Sequence, residues 1–448
     1  MKTRLSHLGQ QLRRNAALSV LVLGVSLGVG LSVITSATPH RSVVAWANDA
    51  STRGSTPVPS ADRLPTGARQ PQAFRPNNAG PNNAGSNNAG SNNFSADHVV
   101  LNVGCARSSS AQGLRDFFAE ALGPIMGHDE PRITPLGDGR TLWILQDTFI
   151  DYRYSSSGFA DMDYANNTVL IQNGLCFTML QGGTLSHAES FELGDAPMNH
   201  DRYFWAGGAT VSGGRLYVFW LEFVRDTIAM GPLDGFGLHP VRTWLATYDP
   251  HTFKRLEFRL APNSGVSPVY GYGVGDDGDW TYLFGNSDLQ NLALEGGYSN
   301  GPHSATRMYL ARVPRGQVGS TPTYWAGASW STDPAAAVPI SSRFFVENMM
   351  LPVLIDGHWY SATKVDGFTG TNFVVDEADH PWGPYTTIRS LPAVPRGDPT
   401  DVLTYHAAVL PWLDPSGGLI ITMSQIPAEM GDPSAEARYR PNYFVVQP

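Results

Sequence analysis

Two aspartates, Asp129 and Asp147, stand 18 residues apart around the turn signal Asp138-Gly139, nine positions from Asp138 on either side. A hairpin folded at that turn brings them side by side at its open end. Carboxyl groups paired in this way can cut a glycosidic bond, one kept protonated as general acid and the other ionised. Acids that share a site push their pKa values apart, which is how identical side chains take opposite roles. The expectation from sequence is that Asp129 is the base or nucleophile and Asp147 the acid, with Glu222 and Glu347 in reserve.

The elements that must position these groups follow from a unit that recurs along the chain. An apolar strand, a tight turn and a second strand rich in Trp, Tyr or Leu repeat around Asp138-Gly139, Gly213-Gly214, Asp277-Gly278, Asp356-Gly357 and Gly417-Gly418. These turn residues reach positive φ at little cost, as short hairpin loops demand. Successive turn glycines (Gly139, Gly214, Gly278, Gly357, Gly417) are 75, 64, 79 and 60 residues apart, a regular recurrence that signals radial repetition. The fold class expected is therefore all-β, a five-bladed β-propeller spanning 98–448, preceded by a signal peptide and a disordered linker. A β-sandwich with long insertions explains the hairpins but not their spacing. The strand His98–Val103 is expected to pair with Tyr443–Val446 and seal the ring. Only Gly113–Leu122 reads as an amphipathic helix, with Leu114, Phe117, Phe118 and Leu122 on one face.

Aligning the copies on the turn glycine places Asp129, Trp205, Tyr270, Glu347 and His406 at the mouth-facing ends of the innermost strands. A second column, after the turns, holds Asp147, Glu222, Asn286, Lys364 or Val365, and Gln425. A funnel of acids and flat aromatics suits a sugar, since aromatic faces stack on ring C–H groups while carboxylates, amides and imidazoles bond hydroxyls. Trp205, Glu222, Tyr270, Glu347 and His406 are thus the substrate-binding candidates.

The front of the chain carries no such chemistry. Lys2, Arg4, Arg13 and Arg14 precede an apolar or small stretch from Ala16 to Ile34, and Ala45-Trp46-Ala47 supplies a cleavage pattern, so 1–47 reads as a signal peptide, with an uncleaved anchor as the alternative. Its removal takes five basic groups and no acid, moving the net charge from −9 to −14. Residues 48–97 are rich in Asn, Gly, Pro and Ser, too poor in apolar surface to offset their chain entropy, and read as a disordered linker. The expected location is secreted or extracytoplasmic, with tethering to the cell envelope open. With Lys254 and Lys364 the only lysines after the leader, a phosphate-tracking nucleic-acid binder is disfavoured. Cys105 and Cys176 can bridge in such a compartment. No organic cofactor is expected. A structural Ca²⁺ is conceivable at Asp276-Asp277-Gly278-Asp279, but the run lacks the alternating ligands of a calcium loop and is explained as a turn. The mature form is expected to have no membrane span and to be a monomer.

The phrases GRTLWILQDTF, YWAGASWS, HPWGPY and YRPNYFVV resemble a group of secreted bacterial five-bladed propellers known as domains of unknown function, over roughly Asp129 to Val446. A related branch contains endo-D-arabinanases. The resemblance implies an aspartate pair corresponding to Asp129 and to Asp147 in Gln146-Asp147-Thr148, and a sugar-hydroxyl ligand at Asn167. Where that branch has Gly, this chain has Gln146, which puts the arabinan substrate in question more than the acid pair. The expected function is a glycoside hydrolase acting on a polysaccharide or glycan; the alternatives are a non-catalytic carbohydrate-binding or cell-surface propeller and a structural module of an envelope assembly.

Overall fold

The computed structural model describes residues 94–120, 122–152, 162–195, 202–225, 238–262, 264, 268–286, 307–341, 351–365, 371–394, 402–427 and 438–448. The proposed leader, most of the proposed linker and Glu347 lie outside the described residues.

The chain enters through β1 (Val99–Cys105) and α1 (Ala111–Ala119). Blade one follows as β2 (Ile125–Pro135), β3 (Arg140–Ile150), β4 (Asp163–Asn173), β5 (Cys176–Thr184) and the short β6 (His187–Glu189). Blade two holds β7 (Arg202–Ser212), β8 (Arg215–Arg225), β9 (Leu238–Tyr248) and β10 (Arg255–Leu260). Blade three holds β11 (Val269–Asp276), β12 (Trp280–Asn286), β13 (Met308–Pro314), β14 (Thr323–Trp325) and β15 (Trp330–Ser331). Blade four is β16 (Val353–Ile355), β17 (His358–Val365), β18 (Asn372–Ala378) and β19 (Thr386–Pro392), and blade five is β20 (Val402–Leu413), β21 (Leu419–Pro427) and β22 (Asn442–Val446). Each blade is an antiparallel sheet. The innermost strands neighbour one another in the cycle β2, β7, β11, β16, β20 and back to β2, which makes the molecule a five-bladed β-propeller.

Apolar side chains on the blade faces make the core. Leu142, Ile144 and Val169 of blade one meet Phe204, Val218 and Trp220 of blade two, all buried. At about 1.5–3 kcal/mol for each large side chain, such sandwiches hold neighbouring blades together.

Ring closure differs from the expectation. The entry strand β1 does not pair with β22; it adds to the outer edge of blade one against β5, while β22 pairs with β21. The seam between the last and first blades is closed by packing instead. Leu114 and Phe118 of α1 share one cluster with Trp143 and Phe177 of blade one and with Leu410, Trp412, Ile420 and Tyr443 of blade five. The helix is fixed there by its Ser110 N-cap, which accepts from the Gly113 amide at 3.1 Å, and by Arg115, which donates to the Tyr443 carbonyl at 3.0 Å. Cys105 lies opposite Cys176 in the β1–β5 ladder, and the two form a disulfide. The Asp276–Asp279 run is a turn in which Asp277 accepts from the amides of Asp279 and Trp280 at 3.0 and 2.9 Å. Among the described residues, no helix is long and apolar enough to cross a membrane and no cluster of three metal-binding side chains occurs.

Candidate functional site

Regular strands turn successive side chains to opposite faces, so a pocket at the axis needs local breaks in the alternation. Four inner strands supply them. The ladder slips between Asp129 and Arg132 in β2, Ala206 and Ala209 in β7, Tyr270 and Gly273 in β11, and Tyr405 and Ala407 in β20. Such bulges re-aim side chains and recur beside active sites. In β7 and β11 glycines occupy them. A Cβ on Gly271, at φ +92°, would sit 2.3 Å from the Phe219 ring, so only glycine permits that approach. In blades one and five the corresponding positions are not glycine: Glu130 has φ +35° and His406 φ +44°. Asp147, also skipped by its ladder partner strand, has φ +20°. Positive φ in side-chain-bearing residues costs of order 1–3 kcal/mol each, and here three such residues gather in one cluster.

Asp129 faces Gln146 across the first hairpin, and Asp147 is the next residue on that strand. Tyr405 donates a hydrogen bond to Asp129 Oδ2, and the Tyr439 hydroxyl reaches the same carboxyl. Asp129 Oδ1 is buried and makes no hydrogen bond among the described residues. Burial first, then the charges of Asp147 and Glu130, hold the Asp129 carboxyl well above the usual carboxylate range. Asp147 is instead surrounded by donors: Trp205 Nε1 at 2.9 Å, Asn166 Nδ2 at 3.5 Å and the Tyr164 hydroxyl. Tyr164 is 44 % exposed, and Trp205 packs on Tyr203 and Phe223, so flat aromatic surface flanks the acids.

Glu130 completes the cluster. Its side chain is 20 % exposed and lies 3.4 Å from Arg132 and 3.9 Å from His406 Nε2. Burial pushes its carboxyl up to about 7 against the pull of Arg132, with Asp147 adding to the rise. Arg132 contacts His406 Nε2, donates to the Ala206 carbonyl at 3.3 Å and lies 4.6 Å from the centre of the Tyr272 ring. Burial and the Arg132 charge keep the His406 imidazole neutral, well below its usual value.

Of the residues singled out in the sequence, Asp129, Asp147, Trp205 and His406 come together here. Three others do not. Asn167 is fully buried, donating to the carbonyls of Glu192 and Phe204 at 3.2 and 2.9 Å and accepting from the Glu192 amide at 2.8 Å; both of its N–H donors are spent pinning blade one to blade two, and no part of it is open to a sugar. Glu222 is 1 % exposed and held by Arg202 at 2.6 Å, Arg242 at 2.9 Å and Trp244 at 2.5 Å inside blade two. Tyr270 points into the interface with Phe219 and Tyr324, because the β11 bulge falls after it; Tyr272 is the tyrosine that meets Arg132. Glu347 lies outside the described residues. The sequence reading passed over Glu130, Arg132, Tyr164, Tyr405 and Tyr439. The signal available was adjacency for four of them: Glu130 and Arg132 lie within three residues of Asp129, Tyr164 three before Asn167 and Tyr405 one before His406, whereas Tyr439 has only Arg440 beside it, which donates to the Met126 and Ala119 carbonyls at 2.8 and 2.5 Å.

Residues 113–448 match the family described as Domain of unknown function (DUF5005). The chain belongs to this family. The membership agrees with the resemblance seen in the sequence. A crystal structure from Bacteroides ovatus ATCC 8483, of a protein carrying a provisional hydrolase name, superposes with a TM-score of 0.56 at 18 % identity, over 73 % of this chain and 87 % of that one. That likeness shows the shared fold. Weaker overlaps are found with the GH43_1 enzyme from Xanthomonas citri (TM-score 0.40, 16 % identity, 76 % and 90 % covered) and with CoXyl43, a β-xylosidase/α-arabinofuranosidase from a compost microbial metagenome (TM-score 0.39, 15 % identity, 77 % and 95 % covered). No curated protein matches the chain.

Proposed function

We propose that this DUF5005 propeller is a glycoside hydrolase whose acid and charged partners are Asp129 and Asp147. The observation that carries the reading is the unequal treatment of two carboxyls at the open end of one hairpin: one is buried among like charges that push it well above the usual carboxylate range, the other is met by three donors. This electrostatic asymmetry supports the reverse of the roles expected from sequence. Asp129 is the proton donor and Asp147 the ionised base or nucleophile. The flanking Trp205 and the exposed face of Tyr164 suit stacking on a sugar ring. Three carboxyls gathered around one guanidinium, Arg132, among the described residues favour a neutral glycan, with furanose polymers of the arabinan type the first to try. The disulfide supports an oxidising, extracytoplasmic compartment.

The test is to incubate the purified protein with plant, microbial and cell-wall polysaccharides and measure released reducing ends. Hydrolysis is expected on at least one neutral polymer, falling ~10³-fold in Asp147→Asn while binding of the same polymer persists. Binding without release of reducing ends, unchanged in Asp147→Asn, would make the protein a lectin and end the hydrolase reading.

A further inference from the structure

The acid Asp129 belongs to blade one, but the groups that hold its carboxyl come from the opposite side of the closure seam. We propose that Tyr405 and Tyr439 are positioning residues that fix the orientation of the Asp129 carboxyl and favour its charged form. The proposal rests on the hydrolase reading above. Tyr405 is the last residue in register before the β20 bulge, and it reaches Asp129 Oδ2; the bulged residue, His406, takes Arg132 and stands beside Glu130. One kink in blade five therefore addresses two consecutive acids of blade one. Tyr439 is located independently. Its carbonyl accepts from the His128 amide at 2.8 Å, the neighbouring Arg440 donates to the Met126 carbonyl at 2.8 Å, and Gln425 holds the Arg438 carbonyl at 2.7 Å. Its ring stands edge-on to Phe149 at 5.6 Å.

Both tyrosines are nearly fully buried, and burial together with the nearby Asp129 charge keeps their hydroxyls protonated far beyond neutral pH. A phenol that keeps its proton can donate to Asp129 whenever that carboxyl is ionised, and each such bond favours the charged form. The titratable and charged groups around Asp129 are Glu130 and Arg132 on its own strand, Asp147 on β3, Tyr164 on β4, Tyr405 and His406 on β20, and Tyr439 ahead of β22.

The test compares Tyr405→Phe and Tyr439→Phe in the full chain. Each is expected to lower kcat about tenfold or more with KM little changed, and to move the basic limb of the kcat/KM profile to higher pH, because a lost donor makes the charged carboxylate harder to form. A rate loss with the basic limb unmoved would reduce the tyrosines to packing and overturn the proposal. A second measurement does not need turnover: Asp129 is titrated by carbon-13 NMR of labelled carboxyls, assigned against Asp129→Asn. Its midpoint should rise in either variant, and an unmoved midpoint overturns the proposal. Should no polysaccharide be cut by the wild type, the hydrolase reading fails while this titration still decides whether the phenols set the Asp129 carboxyl.

Discussion

Asp129 and Glu222 are both buried acids, 6 % and 1 % exposed, yet their surroundings pull them in opposite directions. Glu222 sits among two guanidinium groups and an indole N–H, and those donors draw its carboxyl below the usual range despite burial. Asp129 has two phenols for donors and two carboxyls for neighbours, and it is pushed up. Burial alone therefore does not set Asp129 apart from Glu222; the charge of what each is buried against does. Glu222 is a staple that ties β7, β8 and β9, whereas Asp129 is held, at a cost in stability, where a staple would be cheaper.

That contrast can be broken most directly by exchanging the readouts. Glu222→Gln leaves two arginines without their counter-charge and should lower unfolding free energy by about 3–5 kcal/mol, while the folded fraction still turns over substrate. Denaturant titration beside Asp147→Asn, which should lose turnover and keep its stability, checks both halves. If Glu222→Gln abolished turnover at unchanged stability, the two acids would have to trade descriptions.

A smaller effect sharpens the comparison through pH. The folded state retains the Asp129 proton above the pH at which the unfolded chain releases it, near 4, so this residue costs stability increasingly as pH rises from there. Asp129→Asn should accordingly be more stable than the wild type at pH 7, by about 1 kcal/mol, with the gap closing below pH 4. Glu222 has the opposite sign: its contribution is present above the unfolded value and lost as pH falls through the lowered folded one. Denaturation curves at pH 4 and 7 separate the two. The smallest change is expected from Tyr272→Leu, which removes the ring beneath Arg132; loosening that guanidinium is worth about 0.5–1 kcal/mol and should appear as a modest rise in KM.

The repeat was legible because hairpin turns need residues that tolerate positive φ, and Gly139, Gly214, Gly278, Gly357 and Gly417 advertise that need. The first hairpin's acids, Trp205 and His406 were found by counting from those turns. Counting fails wherever a bulge inserts a residue. Tyr270 and Tyr272 differ by two positions on one strand, yet the bulge between them sends the first into the blade interface and brings the second to the axis. Glu130 was missed because strict alternation assigns it to the face opposite Asp129, and only its positive φ turns it back. Asn167 and Glu222 could not be excluded beforehand, since whether a polar side chain has spare bonding capacity depends on partners 20 or more residues away in sequence. The failed prediction of ring closure has the same origin: pairing of β1 with β5 is a choice between two edges, and nothing local in Val99–Cys105 distinguishes them.

The chosen edge gives the molecule a defined mechanical path. Tension on the chain ahead of Val99 first meets Phe94 against Phe253, the Ser95 amide on the Thr252 carbonyl and His98 stacked on Phe191, and then loads the outermost strand of blade one, which can be peeled residue by residue without disturbing the ring. Peeling would reach Cys105, the seventh and last residue of that strand, and stop at a covalent link, before the pull is transmitted to α1 and the seam it braces. A reducing medium removes that stop, so the same tug that an oxidised molecule absorbs at its rim would then be carried inward to the helix and the junction of the first and last blades.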